Sequence, residues 1–470
     1  MALRIRPTTM RQHSDDLSAL FPPELWLEII PNLSLKEIRA FSECSKALRN
    51  ILLPVLFETI TIHPPRLSAT YPSNNAATAR DIQPFRIPYH ITQVIENVAI
   101  LPSGTTLQNF RQFPFREWIN GSWDHDRLVP EIFNELLLLP KLCRLVCDRV
   151  ILSGALLGKV VQLPLKHLEF SDCIPFYSFP TTTRVSGTLE SVKIYFPPEI
   201  PWWKEGRESL YRVLLRESPN LKCMHIEDDF LFPRMANDYP PSLTSLNIPI
   251  DYLRLRSVLM TCVSLKSISL RPCYLVGNVN YGIPHGALPN LERYGGPVDL
   301  FPSFAQNRPP IKEAYLIFPS TLDPSPTLIL SMPNCIKSVT CNFPSLDPFF
   351  ALLHPKLASK SLINFTILSS DRALPQLFRS SNFVPLPNIR HFTLKAVYVA
   401  QSDSRSDLER ILEDCFSVLL EVYPNLEEVR IIPSDDDGAW RCATVWRRSP
   451  VLFGWSKSRA SGKIDEWWKA

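Results

Sequence analysis

The sequence predicts an α/β fold: a solenoid of stacked strand–turn–helix units with a parallel sheet, preceded by a small three-helix module. Three observations predict it. A phrase of the form Pro-Asn-apolar-x-x-apolar-x-apolar returns along the 470-residue chain. Prolines stand just ahead of many copies, including Pro140, Pro164, Pro219, Pro241, Pro289, Pro310, Pro333, Pro387 and Pro424. Ahead of the repeats, residues 21–57 carry a helical period instead.

The phrase is clearest in Leu221-Lys222-Cys223-Met224-His225-Ile226, Leu243-Thr244-Ser245-Leu246-Asn247-Ile248 and Leu265-Lys266-Ser267-Ile268-Ser269-Leu270. Its first apolar residue, the anchor, recurs at Leu142, Leu165, Leu189, Leu221, Leu243, Leu265, Leu291, Ile311, Ile336, Leu362, Ile389 and Leu426. Most steps are 20 to 27 residues, and two are longer, Leu189 to Leu221 and Ile389 to Leu426. Side chains alternate along a strand, so the second and third apolar residues of the phrase share one face. One strand cannot bury that face alone, whereas a stack of them makes a continuous core. The period and the Leu-x-x-Leu-x-Leu pattern are those of leucine-rich repeats.

Each proline ends one turn and pushes the residue before it off the helical region, launching the next strand. Helices are expected over 203–217, with Leu210, Val213 and Leu214 as a stripe, and over 407–422, with Leu408, Ile411, Leu412, Cys415, Phe416 and Leu419 on one face. These fall in the two long steps. The Leu291 unit continues Tyr294-Gly295-Gly296 and lacks the third apolar residue, and Ile95 to Ile100 reads as an early degenerate copy.

In the N-terminal module, Pro22-Pro23 suits a helix start. Leu25, Ile29 and Ile30 face one way until Pro31. Ser34 and Glu37 have capping-box spacing. Leu35, Ile38 and Phe41 form a second apolar face, and Cys44, Leu48 and Leu52 a third at spacing four. So short a segment is too small for a self-sufficient core, so it is expected to lean on a partner.

Phe21-Pro22-Pro23-Glu24-Leu25, the apolar spacing after it, and the late Lys46-Ala47-Leu48-Arg49 resemble an F-box. With the repeats behind it, the chain is similar to the F-box proteins common in mushroom-forming fungi. Phe21 stands where leucine is usual, and Pro31 cuts the first helix early. The resemblance implies a substrate-recognition subunit of an SCF-type ubiquitin ligase. The module would bind a Skp-type adaptor, and through it a cullin and a RING protein, while the repeats hold a protein substrate. It assigns the adaptor face to Phe21, Pro22, Leu25, Ile29, Leu33, Leu35 and Leu48, each of which also has a reading as module core. It implies no catalytic residue, no metal and no cofactor. A repeat scaffold with a degenerate or non-ligase F-box is the alternative.

Residues 1–18 are expected to lack order, with the F-box over 19–60, a linker over 61–90, repeats over 91–439 and a cap or tail over 440–470. The tail carries Trp440, Trp446, Trp455, Trp467 and Trp468 among basic residues. It reads as a cap over the last repeat, with an aromatic substrate patch or a nucleic-acid contact as alternatives.

Formal net charge is only +4 over this length, so bulk charge makes no case for nucleic acid or an anionic membrane. No apolar run approaches the length of a membrane span, and the chain reads as intracellular, in cytoplasm or nucleus. Several of the 11 cysteines fall on the phrase and are expected as small buried hydrophobes, as at Cys147 and Cys341. His167, His225 and His391 are expected on the outward, solvated side of repeat strands.

Overall fold

A computed structural model describes residues 28–44, 46–62, 87–101, 128–176, 187–196, 210–215, 218–227, 239–249, 252–271, 286–305, 310–318, 335–343, 361–369, 388–396, 423–433, 443–448 and 455–460, with a few single positions between. The chain forms two compact units, Met1–Leu189 and Glu190–Ala470. No helix among the described residues is long and apolar enough to cross a membrane.

The first unit opens with helical residues at Leu25, Glu28 and Ile29 and a 3-10 turn at Ile30–Asn32. Helices α1 (Leu35–Cys44) and α2 (Lys46–Phe57) follow. The capping box forms. Ser34 N–H donates to Glu37 Oε2 at 2.7 Å, and Glu37 N–H donates back to Ser34 Oγ at 3.4 Å. The Ser34 hydroxyl also donates to Glu37 Oε2 at 2.6 Å, and this bond first, then the Ser34 N–H, holds the Glu37 carboxyl below its ordinary value. Ser34→Ala is expected to lower stability of this module by about 1 kcal/mol, read as a lower urea midpoint by circular dichroism. Cys44 ends α1 instead of opening the third helix. It is exposed, and its thiol donates to Ala40 O.

Strand β1 (Thr59–Ile62) follows α2 after one residue and pairs in parallel with β2 (Asn97–Ile100). The first repeat strand therefore lies across the boundary expected near residue 60, and Ile95 to Ile100 is a true repeat. The remaining expected linker, 63–86, lies outside the described residues. Strand β3 (Arg144–Asp148) adds to β2, and β5 (His167–Ser171) adds to β3. A small outer pair joins β4 (Ile151–Ser153) to β6 (Ile174–Phe176). Helices α3 (Tyr89–Thr92), α4 (Leu128–Leu136) and α5 (Gly154–Val160) complete the described part of this unit.

The second unit is a parallel ladder in sequence order. It runs β7 (Ser191–Tyr195), β8 (Cys223–Glu227), β9 (Ser245–Pro249), β10 (Ser267–Arg271), β11 (Arg293–Pro297), β12 (Glu313–Ile317), β13 (Ser338–Phe343), β14 (Asn364–Ser369), β15 (His391–Ala396) and β16 (Glu428–Pro433). Each strand pairs with the next. This parallel ladder is consistent with a leucine-rich-repeat-like stack. Helices α6 (Tyr252–Thr261) and α7 (Phe301–Ala305) lie in the connections. Residues 210–215 are helical as expected, and so are 413, 416–417 and 419–421, while Leu408, Ile411, Leu412 and Cys415 lie outside the described residues.

A local rule sets the register. The carbonyl of the residue after most anchors accepts two N–H groups from the next repeat: Glu190 O takes Lys222 N and Cys223 N, Lys222 O takes Thr244 N and Ser245 N, and Arg390 O takes Glu427 N and Glu428 N. The residue before several anchors adds a side-chain bond to the previous anchor's carbonyl, as Ser242 does to Leu221 and Ser361 to Ile336. The anchors are buried throughout, and the second and third apolar residues line the core, where Phe365 meets Phe392 edge-on and Phe392 stacks on Tyr423. Cys147 and Cys341 are fully buried there as small hydrophobes.

The irregular Leu291 unit has a packing reason. Gly296 stands where the third apolar residue belongs, with φ 153°. A Cβ there would meet the Tyr294 hydroxyl at 3.0 Å and Leu270 Cβ at 3.1 Å. The Tyr294 ring fills the space against Phe301 and Phe304, and its hydroxyl donates to Pro297 O at 2.8 Å. Gly296→Ala combines overpacking with a backbone strain that only glycine avoids. It is expected to cost about 1–3 kcal/mol, seen as a lower thermal midpoint.

The tail closes the ladder. Strand β17 (Ala443–Arg448) pairs antiparallel with β16, and β18 (Trp455–Ala460) pairs antiparallel with β17. Trp446 is buried, stacked on Phe416 at 4.9 Å, and Trp455 meets the same ring edge-on at 5.2 Å. These two tryptophans cap the core. Trp440, Trp467 and Trp468 lie outside the described residues.

Candidate interaction surfaces

Two surfaces stand out, one in each unit. The first is on the helical module. Among the described residues its core is Ile30, Ile38, Leu48 and Leu52, with Leu33, Phe41, Ile51 and Leu56 packed against them. Arg49 Nε donates to Ser42 O at 3.1 Å, tying α2 to α1. Leu25 and Ile29 remain 42% and 38% exposed, and Val55 is exposed as well.

The residues expected at an adaptor face divide accordingly. Leu25 and Ile29 are on the surface. Leu33 is half-buried against the module core. Leu35 opens α1, and its side chain lies outside the described residues, as do Phe21 and Pro22. Leu48 is 0% exposed, so its place on the adaptor face is corrected to the core. It sits on the side of α2 that meets Ile30 and Ile38, and that packing leaves it no free surface.

The second surface is the face of the second unit's sheet opposite the apolar core. Register pairs Lys193, His225, Asn247, Ser269, Gly295, Tyr315, Thr340, Thr366, Thr393 and Arg430 along its middle. A polar network spans β8, β9 and β10 there. Arg271 Nε donates to Asn247 Oδ1 at 3.3 Å, which fixes the amide so that Asn247 Nδ2 faces His225 Nδ1 at 3.3 Å. His225 Nδ1 then accepts, and Nε2–H donates to Glu227 Oε1 at 2.9 Å. Arg271 Nη1 reaches the same oxygen at 3.0 Å, and Nη2 donates to Ile226 O. The Tyr195 ring lies 4.8 Å from the imidazole.

His225 is therefore not the solvated histidine expected. It is 3% exposed, because neighbours from three strands close over it, whereas His167 and His391 are exposed as expected. The sequence holds a faint signal of this network: His225, Asn247 and Ser269 occupy one phrase position in consecutive repeats. Arg271 lies one residue past the phrase, where no pattern marks it.

Farther along the same face, Arg293 and Glu313 pair at 3.2 Å, and Glu428 takes Arg447 at 2.7 Å and Arg430 at 3.3 Å. Tyr315, Ile317 and Leu368 form a small apolar cluster, and the Tyr315 hydroxyl accepts from Asn342 Nδ2 at 3.1 Å.

No family model and no curated protein matches this chain. Among solved structures, one described as a crystal structure of a TLR13–ssRNA13 complex aligns over 67% of this chain and 38% of its own, at 14% identity and a TM-score of 0.31. This chain thus spans well under half of that protein's length. So loose a likeness carries no argument, and the repeat architecture rests on the strand pairing itself.

Proposed function

We propose that the chain is a non-catalytic substrate-recognition subunit of an SCF-type ubiquitin ligase. Its helical module docks a Skp-type adaptor, and its repeats hold a protein substrate. The observation that carries this is the exposed apolar pair Leu25 and Ile29 on a short module whose buried core, among the described residues, is Ile30, Ile38, Leu48 and Leu52. Apolar side chains left in water on so short a module favour a protein partner. The capping box supports the same reading, because it holds the chain entering α1 in one conformation next to that surface.

The test is capture of the full chain on an immobilised Skp-type adaptor, beside a variant carrying Leu25→Asp and Ile29→Asp. Both residues are exposed, so the variant is expected to keep its circular dichroism and thermal midpoint. Capture lost only in the variant supports the reading. Absence of capture by the folded native chain sinks it and leaves a repeat scaffold.

A further inference from the structure

We propose that the network of His225, Asn247 and Arg271 is an acid-sensitive latch across β8, β9 and β10: it closes only around a neutral imidazole, and protonation of His225 opens it. The inference depends neither on adaptor docking nor on what the repeats hold.

The latch follows from which atoms can donate. A guanidinium keeps its protons at any ordinary pH, so Arg271 Nε always donates. Asn247 Oδ1, 3.3 Å away, must therefore accept, and the amide cannot turn over without setting Nδ2–H against Nε–H. Asn247 Nδ2 is then the atom 3.3 Å from His225 Nδ1, so that ring nitrogen must be bare. A bare Nδ1 means a neutral ring with its proton on Nε2, where Glu227 Oε1 accepts it at 2.9 Å. An imidazolium carries a proton on both nitrogens. Its Nδ1–H would face the Asn247 amide, donor against donor, in a site where His225 is 3% and Asn247 6% exposed. A buried charged donor that meets no acceptor is costly.

The charges around the ring do not reverse this. Arg271 Nη2 stands 3.4 Å from His225 Nε2, and Lys193 is the register partner of His225 on β7. Cations on these sides oppose a further proton. Glu227 and the Tyr195 ring, 4.8 Å from the imidazole, favour one. Glu227 already pairs with Arg271 at 3.0 Å, and its side chain is 40% exposed, so solvent screens it. Asp228 and Asp229, after β8, lie outside the described residues. The folded ring thus holds a second proton more weakly than the unfolded chain does, where histidine titrates near about 6.5. The stability that the network contributes is full above that pH and is lost as pH falls below it. Strand pairing alone does not call for such a device. Later repeats place Thr340, Thr366 and Thr393 at the same position, and their strands pair equally well.

The experiment follows the ring signals of isotope-labelled histidine in the full chain against pH by nuclear magnetic resonance, with His225→Gln to assign the ring. Asn247→Asp is the decisive variant. Its carboxylate accepts from Arg271 Nε and from an Nδ1–H at once, so it closes on the imidazolium instead. The native His225 ring is expected in the Nε2–H form, binding its proton at least about tenfold more weakly than a free imidazole. In Asn247→Asp one ring is expected to titrate above about 6.5 instead. Backbone hydrogen exchange, scaled to unstructured rates, reads the opening. Peptides covering β8, β9 and β10 are expected to lose protection about fivefold or more between about pH 7.5 and about pH 5 in the native chain, and not in Asn247→Asp. Thermal midpoints verify folding. Should Asn247→Asp not fold, Arg271→Gln removes the obligatory donor, lets the amide turn over and is expected to return the ring to ordinary titration. A native His225 that carries its proton on Nδ1, or that titrates at or above about 6.5, would overturn the latch. So would protection that acid leaves unchanged, or the same titration in the native chain and the folded variant.

Discussion

Asp148→Asn is expected to flatten the pH dependence of the first unit's stability, removing a loss of roughly 2–4 kcal/mol that the native chain undergoes between about pH 4 and pH 7.5. Asp148 ends β3 and is fully buried, and neither carboxylate oxygen has a hydrogen-bond partner among the described residues. Burial pushes its pKa up to about 7, against the opposing pull of Arg149, and the carboxylates of Asp172 and Glu169 push the same way. Arg149 loses this contest because Nε stands 3.9 Å from Asp148 and also 3.9 Å from Asp172, too long for a hydrogen bond to either. With a folded value above the unfolded one, the native state holds a proton that the unfolded chain gives up above about pH 4. Stability contributed by this group is therefore full below that pH and falls as pH rises to about 7. Asparagine removes the titration, so the variant's urea midpoint is expected to be flatter across this window. A native chain equally stable at pH 4.5 and 7.5, or an asparagine variant with the same slope, would contradict the assignment.

Leu48→Ala is expected to cost about 2–5 kcal/mol, as for a fully enclosed leucine that leaves a cavity. Leu48 packs with Ile30, Ile38 and Leu52, which are all of the fully buried side chains in this cluster, so the loss is a large share of what holds α1 to α2. Leu25→Ala, at an exposed site, is expected to change stability by under about 0.5 kcal/mol. The two leucines separate packing from binding. If adaptor capture depends on the module, Leu48→Ala weakens it in step with unfolding, while Leu25→Ala weakens it in a folded chain. The check is chemical denaturation beside capture for each variant. A Leu48→Ala chain with unchanged stability would return Leu48 to the surface.

The repeat array was legible because its cause is local and repeated. The alternation of the phrase places two apolar side chains on one face in every unit, and only stacking buries them. Even Ile95 to Ile100, weak as a phrase, pairs as a strand, because its anchor and Val98 still meet the core. The capping box was legible for the same reason: Ser34 and Glu37 need only each other. The misreadings share a cause as well. Whether Leu48 faces a partner or a core depends on where α2 lies against Ile30, which no helical period specifies. The boundary expected near residue 60 cut a strand because Thr59–Ile62 resembles any short apolar stretch until β2 offers it a partner.

Sequence by itself determined the repeat unit and the face of each strand that turns to the core. The phrase sets strand length and face, and the doubly used carbonyl after most anchors repeats one pairing. The two described tail tryptophans meet the need to cover the last core. Tertiary structure alone decided which side chains meet across repeats. His225, Asn247 and Arg271 are 22 and 24 residues apart along the chain, and only parallel stacking in register brings them within hydrogen-bond distance. The same stacking buries Asp148 away from any hydrogen-bond donor among the described residues and sets Leu270 of the preceding repeat against Gly296. Local chemistry repeats along the chain, whereas these contacts exist only once neighbouring repeats are laid side by side.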